Sequence, residues 1–330
     1  LPLGLLGGSL LFGPIVDRFG HKALLLLSCL VVLLGLEGIA FFTSIPLLQV
    51  SIIGIGLGGG ILNGETNALV ADISNEAEKG SRLSLLGAFY GIGALGIPVL
   101  LSFLSEYYSF EIILQGTGMV MLIGILFCLG IRFPAPKQPQ GFPIKEGLGL
   151  LKESSLLLLS FILFFQSGIE GVCNNWTTLY LGQTTGIPEN RALIALTCMV
   201  AGLTVARLLL VVLFKKIKQE TVLRTSLITA VAGFALLTFA PGFARAAIGM
   251  ALIGAGLAST FPVILSIIGS RYASLSGTAF SVALVIALIG QTLLNSLTGI
   301  ISQGYSIVVY PYMMIVSLLI MLLLFKRSLK

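Results

Sequence analysis

Charge is scarce in this chain. Only 10% of its 330 residues are Asp, Glu, Lys or Arg, against about a quarter in soluble domains. With 56% hydrophobic residues and a mean hydropathy of +1.06, a water-soluble fold of this length could not hide its apolar surface. The bilayer is the expected solvent. Histidine is represented by one residue, His21. The four cysteines, Cys29, Cys128, Cys173 and Cys198, fall inside apolar runs and read as buried thiols rather than disulfides or ligands. No His, Cys and acidic residues share metal-ligand spacing, and no nucleophile–base pair stands out. No metal, no cofactor and no catalytic residue is therefore expected, and the chain does not read as an enzyme.

What is abundant is apolar sequence in long segments. Eleven can be counted, at roughly 1–16, 23–43, 47–72, 82–105, 109–131, 155–181, 190–214, 221–240, 243–269, 275–301 and 305–325. Each must be helical, because lipid offers backbone groups no other partner. The first segment is short of the ~20 residues a span needs and reads as the back half of a truncated helix. It has neither the n-region nor the cleavage site of a signal peptide. The 40 glycines suit helices packed closely in lipid.

Basic residues set an orientation. With the loop around Asp17-Arg18 placed inside, sixteen Lys and Arg fall on inner loops and the tail, and only Arg191 and Arg245 on outer ones. That positive-inside asymmetry puts the C-terminus in the cytoplasm of a multi-pass plasma (inner) membrane protein. It also accounts for the net charge of +6 without nucleic acid.

The longest loop, 133–154, carries Pro134, Pro136, Pro139 and Pro143 and then an amphipathic stretch from Ile144 to Lys152. It reads as a cytoplasmic linker between an N-terminal bundle, 1–132, and a C-terminal bundle, 155–330. A repeat supports the division: Ile53-Gly54-Ile55-Gly56-Leu57 recurs as Ile253-Gly254-Ala255-Gly256-Leu257. The first copy lies in the third segment before the linker and the second in the fourth after it. Equivalent halves would need one more helix ahead of Leu1. The expected fold is all-α: two six-helix bundles with pseudo-twofold symmetry.

Ionisable groups within hydrocarbon are costly and mark function by default. Glu37, Glu65, Glu170 and Arg207 are such groups, with Asp72 at the inner end of its span. Gln166, Glu170 and Asn174 follow i, i+4, i+8 spacing and share a helix face, with Asn175 and Trp176 beside them. Amides, a carboxylate and a flat ring suit a polyhydroxylated ligand; hydrogen bonding between helices is the alternative. Asn63 and Asn67 share another face, and Glu65 points about 160° away from them on an ideal helix. Gly58-Gly59-Gly60 and Gly64 suggest local unwinding that would bring all three into one cavity. Glu65 and Glu170 are the candidates for proton coupling. Gln291 and Asn295, with Thr298, form a further polar stripe, and Ser259, Thr260 and Pro262 interrupt the segment before it. Glu37 reads as structural.

The loop Gly13-Pro14-Ile15-Val16-Asp17-Arg18-Phe19-Gly20-His21-Lys22 reads G-x-x-x-D-R-x-G-H-K. It resembles the signature G-x-x-x-D-[RK]-x-G-[RK]-[RK] of the major facilitator superfamily, with His21 as the one departure. The resemblance implies a secondary transporter in which Gly13, Asp17, Arg18 and Gly20 gate the cytoplasmic side. Asp17 is expected to accept bonds from a helix N-terminus near Ser276-Gly277-Thr278, and Arg18 to pair with Asp72. Arg207 is grouped with the gate as a partner for an intramembrane acid or an anionic group. The second copy of the loop, Lys215-Lys216-Ile217-Lys218, keeps positive charge but lacks the Asp.

Gly64-Glu65-Thr66 and the run from Arg82 to Ala94 resemble the fucose/proton symporter branch. Gly87 and Tyr90 stand where that branch carries amides, which places Tyr90 among the candidate substrate contacts. The resulting reading is a monomeric, proton-coupled symporter of a sugar or other small polar solute. Its rivals are a drug/proton antiporter of the same fold, favoured by the Gly91 to Pro98 run, and a non-transporting membrane sensor or membrane-embedded enzyme.

Overall fold

The computed structural model describes residues 1–139, 141, 144–239 and 242–328. All regular structure among them is helical. In chain order the helices are α1 (Pro2–Phe19), α2 (His21–Phe41), α3 (Ile45–Asp72), α4 (Lys79–Leu104), α5 (Phe110–Gly130), α6 (Ile144–Leu150), α7 (Ser154–Thr185), α8 (Glu189–Leu213), α9 (Gln219–Phe239), α10 (Phe243–Leu257), α11 (Thr260–Arg271), α12 (Ser276–Tyr305) and α13 (Tyr310–Ser328). All eleven expected segments are helical over their described residues, residue 240 of the eighth lying outside them, and the ninth is divided into α10 and α11 at Ala258-Ser259, a few residues before Pro262. Among the described residues, ten spans are long and apolar enough to cross a bilayer. The amphipathic stretch of the linker forms the short α6.

Two compact units interleave along the chain. One comprises Leu1–Ile73, Gly96–Glu153 and Ile268–Val285; the other comprises Ser74–Leu95, Ser154–Ile267 and Ile286–Lys330. In the first, α3 packs on both α1 and α2, and α2 packs on α5. In the second, α10 packs on α8 and α9, and α13 on α7 and α9.

Glycine permits these approaches. A Cβ at Gly60 would overlap the Leu5 carbonyl of α1, and one at Gly58 would lie 2.8 Å from the Ser28 carbonyl of α2. These glycines serve close packing, and α3 runs unbroken from Ile45 to Asp72. The unwinding expected there is therefore absent, because the glycines are already used where two helix backbones meet.

The repeated pentapeptide separates two roles. A Cβ at Gly254 would overlap the Met199 carbonyl of α8, whereas at Gly54 the nearest atoms lie 3.9 Å away. Gly254→Ala is expected to lower the thermal unfolding midpoint, with a cost of about 1–3 kcal/mol or more from overpacking. Gly54→Ala should leave the midpoint unchanged or raise it slightly, since Ala is the better helix former. Thermal unfolding of the two purified variants checks both.

Candidate functional site

The signature loop is one continuous device. α1 ends at Phe19, and Gly20 turns the chain with φ +83°, a conformation that favours glycine. Its N–H caps α1 by donating to the Val16 carbonyl at 2.8 Å. A Cβ at Gly13 would lie 2.5 Å from the Gly277 carbonyl, so glycine lets α1 reach the start of α12. There Asp17, fully buried, accepts from the Gly277 N–H at 3.1 Å, the Thr278 N–H at 2.9 Å and the Thr278 hydroxyl at 2.6 Å. A carboxylate on the unsatisfied donors of a helix N-terminus is favourable in both hydrogen bonding and dipole terms. At the other end of the loop, Lys22 donates to the carbonyls of Leu129 and Ile131 at 2.8 and 3.1 Å, where α5 ends.

His21 begins α2 and holds two carboxylates. Its Nδ1 lies 3.1 Å from Glu65 Oε1 and its Nε2 lies 3.0 Å from Asp72 Oδ2. Asp72 also accepts from Lys137 Nζ at 2.7 Å and from the Ser276 hydroxyl at 2.9 Å. Lys137 comes from the proline-rich linker, which is tied to α1 by the Gln138 N–H donating to the Asp17 carbonyl at 2.8 Å.

The expected pairing of Arg18 with Asp72 is thus not formed. Asp72 is taken by His21 and Lys137, and Arg18 lies exposed, its guanidinium 5.0 Å from the centre of the Phe19 ring. The departure at His21 was the signal for this network. Nothing in the spacing of the chain pointed to Lys137, and Ser276 was expected beside Asp17 rather than Asp72.

Glu65 is fully buried, and its second oxygen, Oε2, has no hydrogen-bond partner. Asn63 is exposed, and Asn67 donates to the Asn63 carbonyl at 2.7 Å. The helix stays regular, so Glu65 and the two asparagines are not gathered into one site. Glu37 is placed against Gly118 of α5, where a Cβ would overlap its carboxylate.

The second unit brings other candidates together. Along α7, Gly168 and Gly171 admit Leu294, Gln291 and Asn295 of α12. Asn175 Nδ2 donates to Asn295 Oδ1 at 2.9 Å, and Asn295 Nδ2 donates to the Gln291 carbonyl at 2.7 Å. Trp176 stacks its six-membered ring edge toward Gly299. Asn174, Asn175 and Gln291 remain exposed, with polar atoms to spare. Gln166, by contrast, is buried and donates to the Leu257 carbonyl at the α10–α11 break at 3.1 Å, which is a bond between helices. Arg207 is buried, donates from Nη1 to the Gly87 carbonyl at 3.0 Å, and leaves Nε without a partner. Glu170 interacts electrostatically with both Arg207 and Tyr90. A carboxylate, a guanidinium and a phenol on α7, α8 and α4 thereby accompany an amide pair and an indole.

Known proteins resemble this chain in sequence and in fold. A profile of the Major Facilitator Superfamily matches residues 2–293. The uncharacterized MFS-type transporter YfkL of Bacillus subtilis is 26% identical, over 62% of this chain and 53% of its own length. The glucose/mannose transporter GlcP of B. subtilis is 24% identical, over 91% of this chain and 79% of its own. The multidrug resistance protein MdtH of Aeromonas hydrophila is 30% identical, over 49% of this chain and 39% of its own. This chain therefore spans only about half of YfkL. Among solved structures, the E. coli fucose:proton symporter FucP superposes with a TM-score of 0.81 at 18% identity, covering 99% of this chain and 90% of that one.

Proposed function

Because the chain belongs to the Major Facilitator Superfamily, we propose that it moves a sugar or another small polar solute together with protons. The route is alternating access across the plasma membrane, with the C-terminus in the cytoplasm and a single chain as the working unit. The moving halves are 1–132 and 155–330, joined by the linker 133–154.

The observation that carries the cargo class is the amide pair Asn175–Asn295, held at 2.9 Å beside Trp176. An amide pair offers both donors and acceptors to hydroxyl groups, and an indole covers the apolar face of a sugar ring. Glu170, Asn174, Gln291 and Tyr90 extend this surface. Arg207 interacts electrostatically with Glu170, and a carboxylate there can accept from a solute hydroxyl.

Coupling is assigned to Glu65 and His21. The bridge holds in two protonation forms. In one, an imidazolium donates to two carboxylates. In the other, a neutral imidazole donates from Nε2 to Asp72 and accepts at Nδ1 from a protonated Glu65. The pair can thus pass a proton between Glu65 and the gate at Asp72 with little motion of heavy atoms. Gly13, Asp17, Arg18, Gly20 and Asp72 act as the cytoplasmic gate, closed while Asp17 holds the start of α12.

Labelled monosaccharides offered to proteoliposomes of the full-length protein test the cargo. Uptake of one sugar driven by an inward proton gradient is expected. Asn295→Ala is expected to raise KM by about 5- to 30-fold, since one or two hydrogen bonds to neutral groups contribute about 1–2 kcal/mol, with little change in kcat. Likeness to MdtH over half the chain favours a second reading, a drug/proton antiporter. No sugar uptake, with proton release on adding a lipophilic cation, would establish that reading instead.

A further inference from the structure

We propose that the crevice between α8 and α9 is a binding site for one anionic diacyl phospholipid, with an acyl chain in the crevice and the phosphate on Lys215, Lys216 and Lys218. The crevice has a volume of about 210 Å³. Its walls are apolar along Leu209, Leu213 and Ile217, and its inner end carries the hydroxyls of Thr221, Thr225 and Ser226. Leu209, Leu213 and Ile217 are all exposed. An apolar slot ending in hydroxyls has the polarity profile of a phospholipid, whose glycerol ester region lies between its chains and its phosphate.

Charge identifies the headgroup. The connection between the two spans, 214–218, is Phe-Lys-Lys-Ile-Lys. Ile217 lines the crevice, so Lys216 and Lys218 flank its mouth, and Arg224 adjoins Thr225. All four cations are exposed. Along the segment itself the acid is limited to Glu220, which leaves three positive charges in excess; Glu76 and Glu78, near Gly80 where α4 meets Gln219, are matched by Lys79 and Arg82.

Several basic residues elsewhere are engaged within the protein. Lys79 pairs with Glu76 and Arg82 with Glu78, both at 2.7 Å, while Lys137 holds Asp72 and Lys22 caps α5. Lys215, Lys216, Lys218 and Arg224 form no ion pair among the described residues. This segment is the degenerate second copy of the signature loop. Without the Asp that would grip a helix N-terminus, its lysines are free for the membrane. The amide groups that open α9 at Gln219 add their dipole to the same spot. The site does not depend on the cargo or on proton coupling.

Native mass spectrometry of the full-length protein tests the site, with phosphatidylglycerol and phosphatidylcholine of identical chains competing for retention. Each lysine near a net-anionic headgroup is worth roughly a fivefold preference over a zwitterionic one, whose choline cation offsets its phosphate, so one phosphatidylglycerol should be retained up to about a hundredfold over phosphatidylcholine. The triple variant Lys215→Gln, Lys216→Gln, Lys218→Gln should bring the ratio for that molecule close to one. These side chains are exposed, so the variant should fold, and its unchanged thermal midpoint in detergent will verify this. Ala206→Phe, which fills the crevice, should displace the same molecule with every lysine present. Undiminished phosphatidylglycerol retention in the triple variant would overturn the proposal. So would retention in Ala206→Phe that is lost in the triple variant, because the headgroup would then bind without the crevice. Displacement of the lipid by millimolar inorganic phosphate would also overturn it, since the site would be one for free anions.

Discussion

Glu65→Gln abolishes accumulation of solute driven by an inward proton gradient, down to the level of protein-free liposomes, while exchange of labelled for unlabelled solute continues. That is the expected result for the residue assigned to coupling. Glutamine has nearly the volume of glutamate, and its Oε1 can still accept from His21 Nδ1, now 3.1 Å from the carboxylate. The packing of α3 against α2 is therefore kept. What the amide cannot do is take up and release a proton. Glu65 is wholly buried and has one oxygen with no partner, so nothing else at that position can replace the lost chemistry. The control is Glu37→Gln, which sits against α5 at Gly118 and should leave accumulation intact. Gradient-driven accumulation by Glu65→Gln at the parental rate would remove Glu65 from the mechanism. Loss of exchange together with accumulation would make it a structural or substrate-binding residue.

His21→Ala has the largest expected effect on stability. It leaves Glu65 without any hydrogen-bonding partner in a fully buried place and takes one of three partners from Asp72. Breaking one member of a buried ionic group costs about 3–5 kcal/mol, because an uncompensated polar group stays behind in the low-dielectric interior. Lys137→Ala is the informative contrast. Asp72 then keeps His21 and Ser276, and the Lys137 side chain is itself partly exposed, so its loss should cost about 1 kcal/mol or less. The thermal midpoints of the two purified variants should differ clearly, with His21→Ala the lower. Equal midpoints would mean that the linker lysine, not the histidine, holds the acids in place. Combining His21→Ala with Glu65→Gln should recover part of the loss, since a neutral amide costs less to bury than a carboxylate.

Legibility along the chain followed the physics of each feature. Spans were readable because hydrocarbon admits only helices, so hydropathy alone located α2 to α5 and α7 to α13. The grip of Asp17 on the start of α12 came within reach once the signature loop was placed beside Ser276-Gly277-Thr278. The role of the glycines in α3 was misjudged. A glycine run signals either a flexible helix or a close helix contact, and the choice depends on whether another backbone lies against it. Leu5 and Ser28 do lie against it. The assignment of Asp72 to Arg18 failed for a similar reason. Several cations lie within reach along the sequence, and the geometry of the turn at Gly20 decides which one points inward.

The sequence by itself determined the solvent, the helices, their order and the family to which the chain belongs, since these follow from hydropathy, residue periodicity and one local motif. Only the tertiary structure decided which polar groups meet. It joined Glu65 and Asp72 through His21, set Asn175 against Asn295, and turned Gln166 inward to a backbone carbonyl. Those pairings depend on the rotation and separation of packed helices, fixed by contacts between residues far apart in the chain, which no local pattern records.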